Sequence, residues 1–435
     1  MCLRARAVSP CPRRMNRART KGEGMKSVRV DKARLQNRME AISAFGATAG
    51  GGVTRLALSD ADKDARQQLS AWLKELDCEI HVDGMGNIFA VLPGKDRTLP
   101  PVMTGSHGDS QPLGGRFDGM LGVVAGVEVV SALRDAGVTL LRDLVVADWT
   151  NEEGSRFTPG CSGSGVWAGK LAQQDMYALK DQQGLTLGGE LARIGFQGDS
   201  SYFPRPVHAA FELHIEQGPV LEEKSIPIGI PQGIVCLRWY NVRVQGVPNH
   251  AGPTPMTSRH DAIYAFSLMT ARIFEIARSS GQVVATVGEV HASPNSRNVI
   301  AGDVQFTIDV RGWNETITDD VCQRIEAALT EAAQQAGCEV RPERIWQVSR
   351  VPFDQRLRGM VREAATSLGL PCLDMVSGAS HDMIYIAQVA PGAMIFVPSM
   401  GGRSHAEVEN TSWEDCAAGA DVLLHCLMRA GNEPG

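Results

Sequence analysis

An interruption decides what this chain can fold into. Strand and helix patterns alternate from residue 31 to about residue 230, stop, and resume near Pro352. Such alternation builds a sheet enclosed by helices. The first part reads as a helix over 31–45, with Leu35, Met39, Ile42 and Phe45 on one face, and a second helix capped by Ser59 and Asp60 and running to about Leu76. Strand candidates follow at 79–82, 87–92, 102–103 and 144–149. After the break come a helix over 355–368, a strand near 394–397 and a terminal helix over 412–429. Inside the break the order changes to strand 237–244, helix 261–277, strands 283–290 and 304–310, helix 317–336 and strand 338–348. That β-α-β-β-α-β order is the ferredoxin-like one. The expected fold is therefore α/β, a large domain with a mixed sheet flanked by helices, formed by residues 26–230 and 346–435. A ferredoxin-like α+β domain, 231–345, is inserted into it.

Size agrees with two cores, since 435 residues is long for one. An apolar fraction of 43% with 21% charged residues is that of an ordinary globular chain. No run approaches bilayer-spanning length, so a membrane partner is not expected. Residues 1–25 hold seven basic residues against Glu23 alone, so the net charge of −6 conceals a more acidic body. An acidic body argues against nucleic acid as a partner. The basic head has no apolar centre and is not a secretory signal. It reads as a disordered extension, or as the product of an upstream start with the true start at Met15 or Met25. The ten cysteines are scattered without paired spacing. Cys78, Cys236, Cys322, Cys338, Cys372 and Cys426 sit in apolar or helical contexts, as buried thiols of a reducing, cytoplasmic compartment do.

The chemistry-bearing residues gather at strand ends. Gly105 to Gly119 holds His107, Asp109 and Asp118 in a glycine-rich loop between an apolar run and a helix patterned by Leu121, Val124, Val127 and Val130. In open α/β sheets, ligands bind where such loops leave the strands. Asp148 to Gly154 ends another apolar strand with adjacent Glu152 and Glu153. On extended backbone these would point to opposite sides, one to hold a metal and one to face the reaction. His214 and Glu216 share a face of strand 211–218, and His405 follows strand 394–397. Five of these residues can supply a two-metal site if Asp118 bridges. His107 and His214 would then hold one ion, and Glu153 and His405 the other. This donor set suits zinc, with manganese or cobalt as competitors. Asp109 can support the second ring nitrogen of His107 or otherwise orient the site. In the insert, His250 sits in a stiff Gly/Pro-rich turn, and Asn298 and Arg311 flank strand 304–309. An arginine there can clamp a carboxylate or form a surface ion pair.

Seven segments, Gly105 to Gly119, Asn151 to Phe157, Glu212 to Pro219, His250 to Met256, Pro294 to Gly302, Ser377 to Asp382 and Phe396 to His405, follow one another as in the M20 peptidase-like amidohydrolases. More narrowly, the chain resembles the branch of N-carbamoyl-L-amino-acid hydrolases, β-ureidopropionases and allantoate amidohydrolases, over about residues 31–428. The resemblance implies two divalent ions per subunit with the ligands given above, Glu152 as general base, and a lid domain that makes a homodimer. It further implies that His250 reaches into the partner subunit's site. Gln217, Asn298 and Arg311 would bind the amino-acid part of the substrate, with Gly378 and Ala379 lining the same pocket. The implied reaction is hydrolysis of a linear ureido or amide C–N bond, most simply of an N-carbamoyl-L-amino acid to amino acid, carbon dioxide and ammonia. Allantoate is the runner-up, and a peptide or N-acyl amino acid the third. A cis peptide between Asp118 and Gly119 is also implied. Gly108, Pro253, Ser380 and the pair Ala406-Glu407 depart from the family pattern, and Gly108 beside a ligand bears on substrate choice.

Overall fold

The structure, a computed structural model, describes residues 28–199 and 206–435. The basic head lies outside the described residues. Six strands come first: β1 (Glu79–Val82), β2 (Ile88–Leu92), β3 (Val102–His107), β4 (Leu144–Trp149), β5 (Ala209–Ile215) and β6 (Ile228–Ile234). The inserted run supplies β7 (Cys236–Gln245), β8 (Asn249–His250), β9 (Val283–Ser293), β10 (Val299–Ile300), β11 (Asp303–Gly312) and β12 (Glu339–Val348). The chain then returns through β13 (Val351–Pro352), β14 (Cys372–Ser377) and β15 (Gly392–Val397).

Nine strands form one mixed sheet in the order β1-β2-β4-β3-β5-β15-β6-β13, with β14 on β6. β4, β3, β5 and β15 run parallel, β2 is antiparallel to its neighbours, and β6 is antiparallel to β15 and β13 but parallel to β14. β2, β3, β4, β5 and β15 are buried along their whole length, as strands covered on both faces must be. One face packs Val102, Val146, Phe211 and Ile395 against helices Met120–Asp135 and Trp413–Ala430. The other face packs Met103, Val145, Ala210 and Met394 into a second core. Side chains alternate along a strand, so His107 and His214 fall on the face of Met103 and Ala210.

β7, β9, β11 and β12 form a separate antiparallel sheet in the order β12-β7-β11-β9, the ferredoxin-like order expected from the pattern. Helices Ala262–Ser280 and Glu315–Gln335 cover one face, over a core of Tyr240, Met269, Phe306, Ile308 and Ile325. The chain crosses between the sheets at Val235 and again at residues 349–350, so residue 231 itself lies within β6. None of the described helices is long and apolar enough to cross a membrane.

Candidate active site

His107 ends β3, Asp118 precedes helix Met120–Asp135, Glu152 and Glu153 follow β4, His214 lies near the end of β5 and His405 follows β15. The parallel strands therefore deliver all six to one end of the sheet. Asp118 sits between two groups and divides its oxygens between them. Oδ1 lies 3.1 Å from His214 Nε2 and 3.7 Å from His107 Nε2. Oδ2 lies 3.3 Å from His405 Nε2, which is 3.5 Å from Glu153 Oε2. Each triad brings its donor atoms close enough to share one cation. Nδ1 of His107 faces the Asp109 carbonyl at 3.0 Å, and Nδ1 of His214 faces the Ile215 carbonyl at 2.9 Å. A carbonyl that takes the Nδ1 proton leaves Nε2 for the site.

Electrostatics fit the same donor role. Burial pushes Glu153 up to about 8, with Asp118 adding to it, and holds Glu152 well above the usual carboxylate range, with Asp382 and Glu153 adding to that. Burial lowers His107 to about 4. For His214 burial is outweighed by the hydrogen bond to Asp118, which lifts it to about 9, and the same acid lifts His405 to about 9. Burial also opposes ionisation of Asp118, but His214 and His405 hold it well below its ordinary value. A cluster of acids and imidazoles, buried except at His405 and sharing one central carboxylate, is chemistry that divalent cations satisfy. Glu152, outside both triads, has Oε2 3.5 Å from His107 Nε2 and accepts a thiol hydrogen bond from Cys161 at Oε1. It is placed to handle a proton next to both groups.

Some expectations need correction, and others gain detail. The Asp118–Gly119 bond is trans. The reversal is made by a γ-turn, with Gly119 at φ 62° and ψ −53° and the Met120 N–H donating to the Asp118 carbonyl at 2.6 Å. A side chain is excluded at Gly119, since a Cβ would lie 2.4 Å from the His107 ring. The backbone after β4 is not extended, because Asn151 is left-handed at φ 58° and turns the two glutamates into the site. The carboxylate of Asp109 accepts the N–H groups of Glu152 and Glu153 at 3.2 and 3.3 Å, while its carbonyl serves His107. Glu216 lies past the end of β5 and caps Val220 and Leu221. Gln217 donates to Asp118 Oδ2 at 2.8 Å and to Ser404 Oγ at 3.1 Å, so it holds the shared acid directly.

A cavity of about 630 Å³ opens over the cluster, and Gln217, Arg311 and Ala379 line it. Arg311 both faces this cavity and pairs with Asp309, through Nε and Nη2, while Nη1 donates to the Gly378 carbonyl at 2.8 Å. His250 and Asn298 are brought together elsewhere. β8 pairs with β10, His250 opposite Val299, and Ala251 N–H donates to the Asn298 carbonyl. Neither lines the cavity of its own chain. The Gly252 N–H donates to His250 Nδ1 at 3.1 Å, and the imidazole is exposed.

Sequence reading missed three residues of the site. Glu409 accepts the N–H groups of Phe117 and Asp118, both at 3.0 Å, and the Ser404 hydroxyl at 2.8 Å. It fixes the Asp118 loop from far along the chain, in coil with no pattern to mark it. His381 packs edge-on to His214, 4.4 Å between centroids, and hydrogen-bonds Ser377 Oγ at 2.9 Å. Asp382 is buried and takes the Ser164 hydroxyl at 2.5 Å. The segment Ser377 to Asp382 was legible as a unit, without these roles.

A sheet with a covering second domain and a split acid–histidine cluster at its strand ends defines a hydrolase built on two linked polar centres. Residues 103–429 match the model of peptidase family M20/M25/M40. An N-carbamoyl-L-amino-acid amidohydrolase of Rhizobium meliloti is 41% identical over 405 residues, 92% of this chain and 96% of that protein. An allantoate amidohydrolase of Bacillus subtilis is 34% identical, with 90% of this chain and 96% of that protein covered. The crystal structure of an amidase of the hydantoinase/carbamoylase family from Burkholderia multivorans shares 44% identity and superposes with a TM-score of 0.88, covering 94% of this chain and all of that one. The chain belongs to the M20/M25/M40 peptidase family, in its amidohydrolase branch, and is a hydrolase of non-peptide carbon–nitrogen bonds.

Proposed function

We propose that the protein hydrolyses an N-carbamoyl-L-amino acid to the free amino acid, carbon dioxide and ammonia, with two divalent ions, zinc or else manganese or cobalt, as cofactors. The observation that carries the reading is Asp118, whose two oxygens each complete a histidine-containing triad beside Glu152. In this reading His107, Asp118 and His214 hold one ion and Asp118, Glu153 and His405 the other. Bound there, the ions would acidify water and polarise the ureido carbonyl, a poor electrophile otherwise. Glu152 takes the proton of the attacking water and returns it to the leaving amino-acid nitrogen. The carbamate that departs decomposes to carbon dioxide and ammonia. Arg311, with Gly378 and Ala379 beside it, fixes the substrate carboxylate and so aims the carbonyl at the cluster.

The second domain is, in this proposal, a lid and dimerisation domain. Its strand β9 is an edge of eleven residues with Val284 and Val290 exposed, and Tyr264 and Phe274 are exposed on helix Ala262–Ser280. Unpaired edges and apolar surface of this kind invite a second copy. The partner subunit's His250 then donates from Nε2 to the developing oxyanion, with Asn298 of the partner subunit beside it. The eight described cysteines are all unpaired, which supports a reducing, cytoplasmic setting.

A panel of N-carbamoyl amino acids and allantoate, assayed for ammonia with manganese or zinc added, tests the reading. Release from N-carbamoyl amino acids is expected. Turnover of allantoate alone would replace this reading by the second one, which the Bacillus subtilis relative favours. Turnover of dipeptides or N-acyl amino acids alone would point to a peptidase or aminoacylase.

A further inference from the structure

The lid sheet turns one face to its helices and the other to the cavity. On that second face the pairing of β7 with β11 sets Leu237 opposite Arg311 and Trp239 opposite Asp309. On the other flank of β7, Trp346 of β12 stands opposite Trp239. Residues directly opposite in an antiparallel pair share a face, about 5 Å apart. Arg311 is thus one rung from an aromatic surface. The register of β12 slips between Arg344 and Trp346, leaving Ile345 as an extra residue. A bulge re-aims side chains, and here both Ile345 and Trp346 line the cavity. They are 47% and 36% exposed, large apolar groups left open on the inner side of the lid. The two indoles meet edge to face, 4.7 Å between centroids at 69°. Trp239 Nε1 is buried with no hydrogen-bond partner. Ile384 and Tyr385 close the wall from the large domain.

In an α-amino acid the carboxylate, the side chain and the ureido nitrogen branch from one carbon. With the carboxylate on Arg311 and the ureido carbonyl over the Asp118 cluster, the lid face and its indoles are part of the same cavity, within reach of the third branch. We infer that the enzyme selects N-carbamoyl amino acids with large apolar, above all aromatic, side chains, and that Trp239, Ile345 and Trp346 read that side chain. Apart from the acid–histidine cluster and His381, Arg311 is the only charged group among the described lining residues. A second anion on the substrate meets no second cation, and a second ureido group carried along the lid face lies against indole and isoleucine. Burying a polar group without partners is unfavourable. The inference rests on the carbamoyl reading above.

Initial rates with the metal-loaded full chain test it. N-carbamoyl derivatives of phenylalanine, tryptophan and leucine are compared with those of glycine, alanine and aspartate. The phenylalanine derivative is expected to exceed the glycine and aspartate derivatives in kcat/KM by about tenfold or more, the scale on which apolar pockets discriminate. Trp346→Ala, at a partly exposed position, should shrink the phenylalanine-to-glycine ratio by a similar factor, chiefly through KM. Preference for the glycine or aspartate derivative, or an unchanged ratio in Trp346→Ala and in Ile345→Ser, would overturn the side-chain inference and leave the carbamoyl reading standing. Turnover of allantoate with none of the N-carbamoyl amino acids would overturn both.

Discussion

Glu152 has no place in either triad of donor atoms, yet it sits 3.5 Å from His107 Nε2 and is almost fully buried. If Glu152 carries the proton as proposed, it is dispensable for metal binding and essential for turnover. Glu152→Gln is therefore expected to retain two ions per chain by elemental analysis while kcat falls by about 10²–10⁴-fold. A variant of near-normal rate would remove Glu152 from the reaction. The donors themselves predict a pH dependence. His214 and His405, near 9, and Glu153, near 8, hold protons at pH 7. A cation needs all three unprotonated, so loading displaces protons and apparent affinity rises from pH 6 to pH 9. His107, near 4, adds nothing to that slope. Calorimetric titration of the metal-free chain in buffers of different ionisation enthalpy measures the release, and a proton count of zero at pH 7 contradicts the donor assignment. The five candidate donors were legible because each is a polar residue at or after the end of an apolar strand of one predicted domain. What they lean on was not. The carbonyl of Asp109 and the carboxylate of Glu409 act through backbone contacts that depend on turn geometry. Arg311 offered a carboxylate clamp or an ion pair, and it faces the cavity while paired with Asp309 two residues before it.

Helix Asp60–Glu75 shows how far periodicity carries at the scale of the element. Ser59 caps it, accepting from Asp62 N–H at 3.2 Å, as the sequence suggests. The same helix carries Asp62 and Arg66, an i,i+4 ion pair that is fully buried. Arg66 also donates to the Gly86 carbonyl at 2.7 Å and to Thr150 Oγ1 at 3.2 Å. Thr150 begins the turn that presents Glu152 and Glu153, so the helix pins the exit of β4. Removing one partner strands a buried charge. Asp62→Ala is expected to cost about 3–5 kcal/mol in urea denaturation, and joint replacement by Asp62→Leu and Arg66→Met to recover most of it. An Asp62→Ala variant as stable as the parent would show that water reaches Arg66. β6 escaped sequence reading for a related reason. Ile228-Gly-Ile-Pro-Gln-Gly-Ile carries the glycines and proline of a break, and only its neighbours β15, β13 and β14 make it a strand.

At the scale of the whole molecule, the proposed function makes each active site depend on a second chain. His250 and Asn298 share a two-stranded ribbon of the lid domain, and neither lines the cavity that Arg311 and the Asp118 cluster share. In the proposed dimer this exposed imidazole serves the active site of the other copy. Two variants, each inactive alone, separate the alternatives. Asp118→Ala removes the shared acid and retains His250, whereas His250→Ala retains the cluster and removes the donor. A mixed dimer rebuilds one complete site, from the cluster of one chain and the imidazole of the other. Its second site lacks both. Random pairing of equal amounts makes half of the dimers mixed, so activity is expected to return to roughly a quarter of the parent value. Each homodimer stays near zero, and sedimentation confirms that the chains pair. Pairing without recovered activity would assign His250 to its own chain or to no role in the reaction, and the lid would then have to close far enough to carry the ribbon over the cluster beneath it.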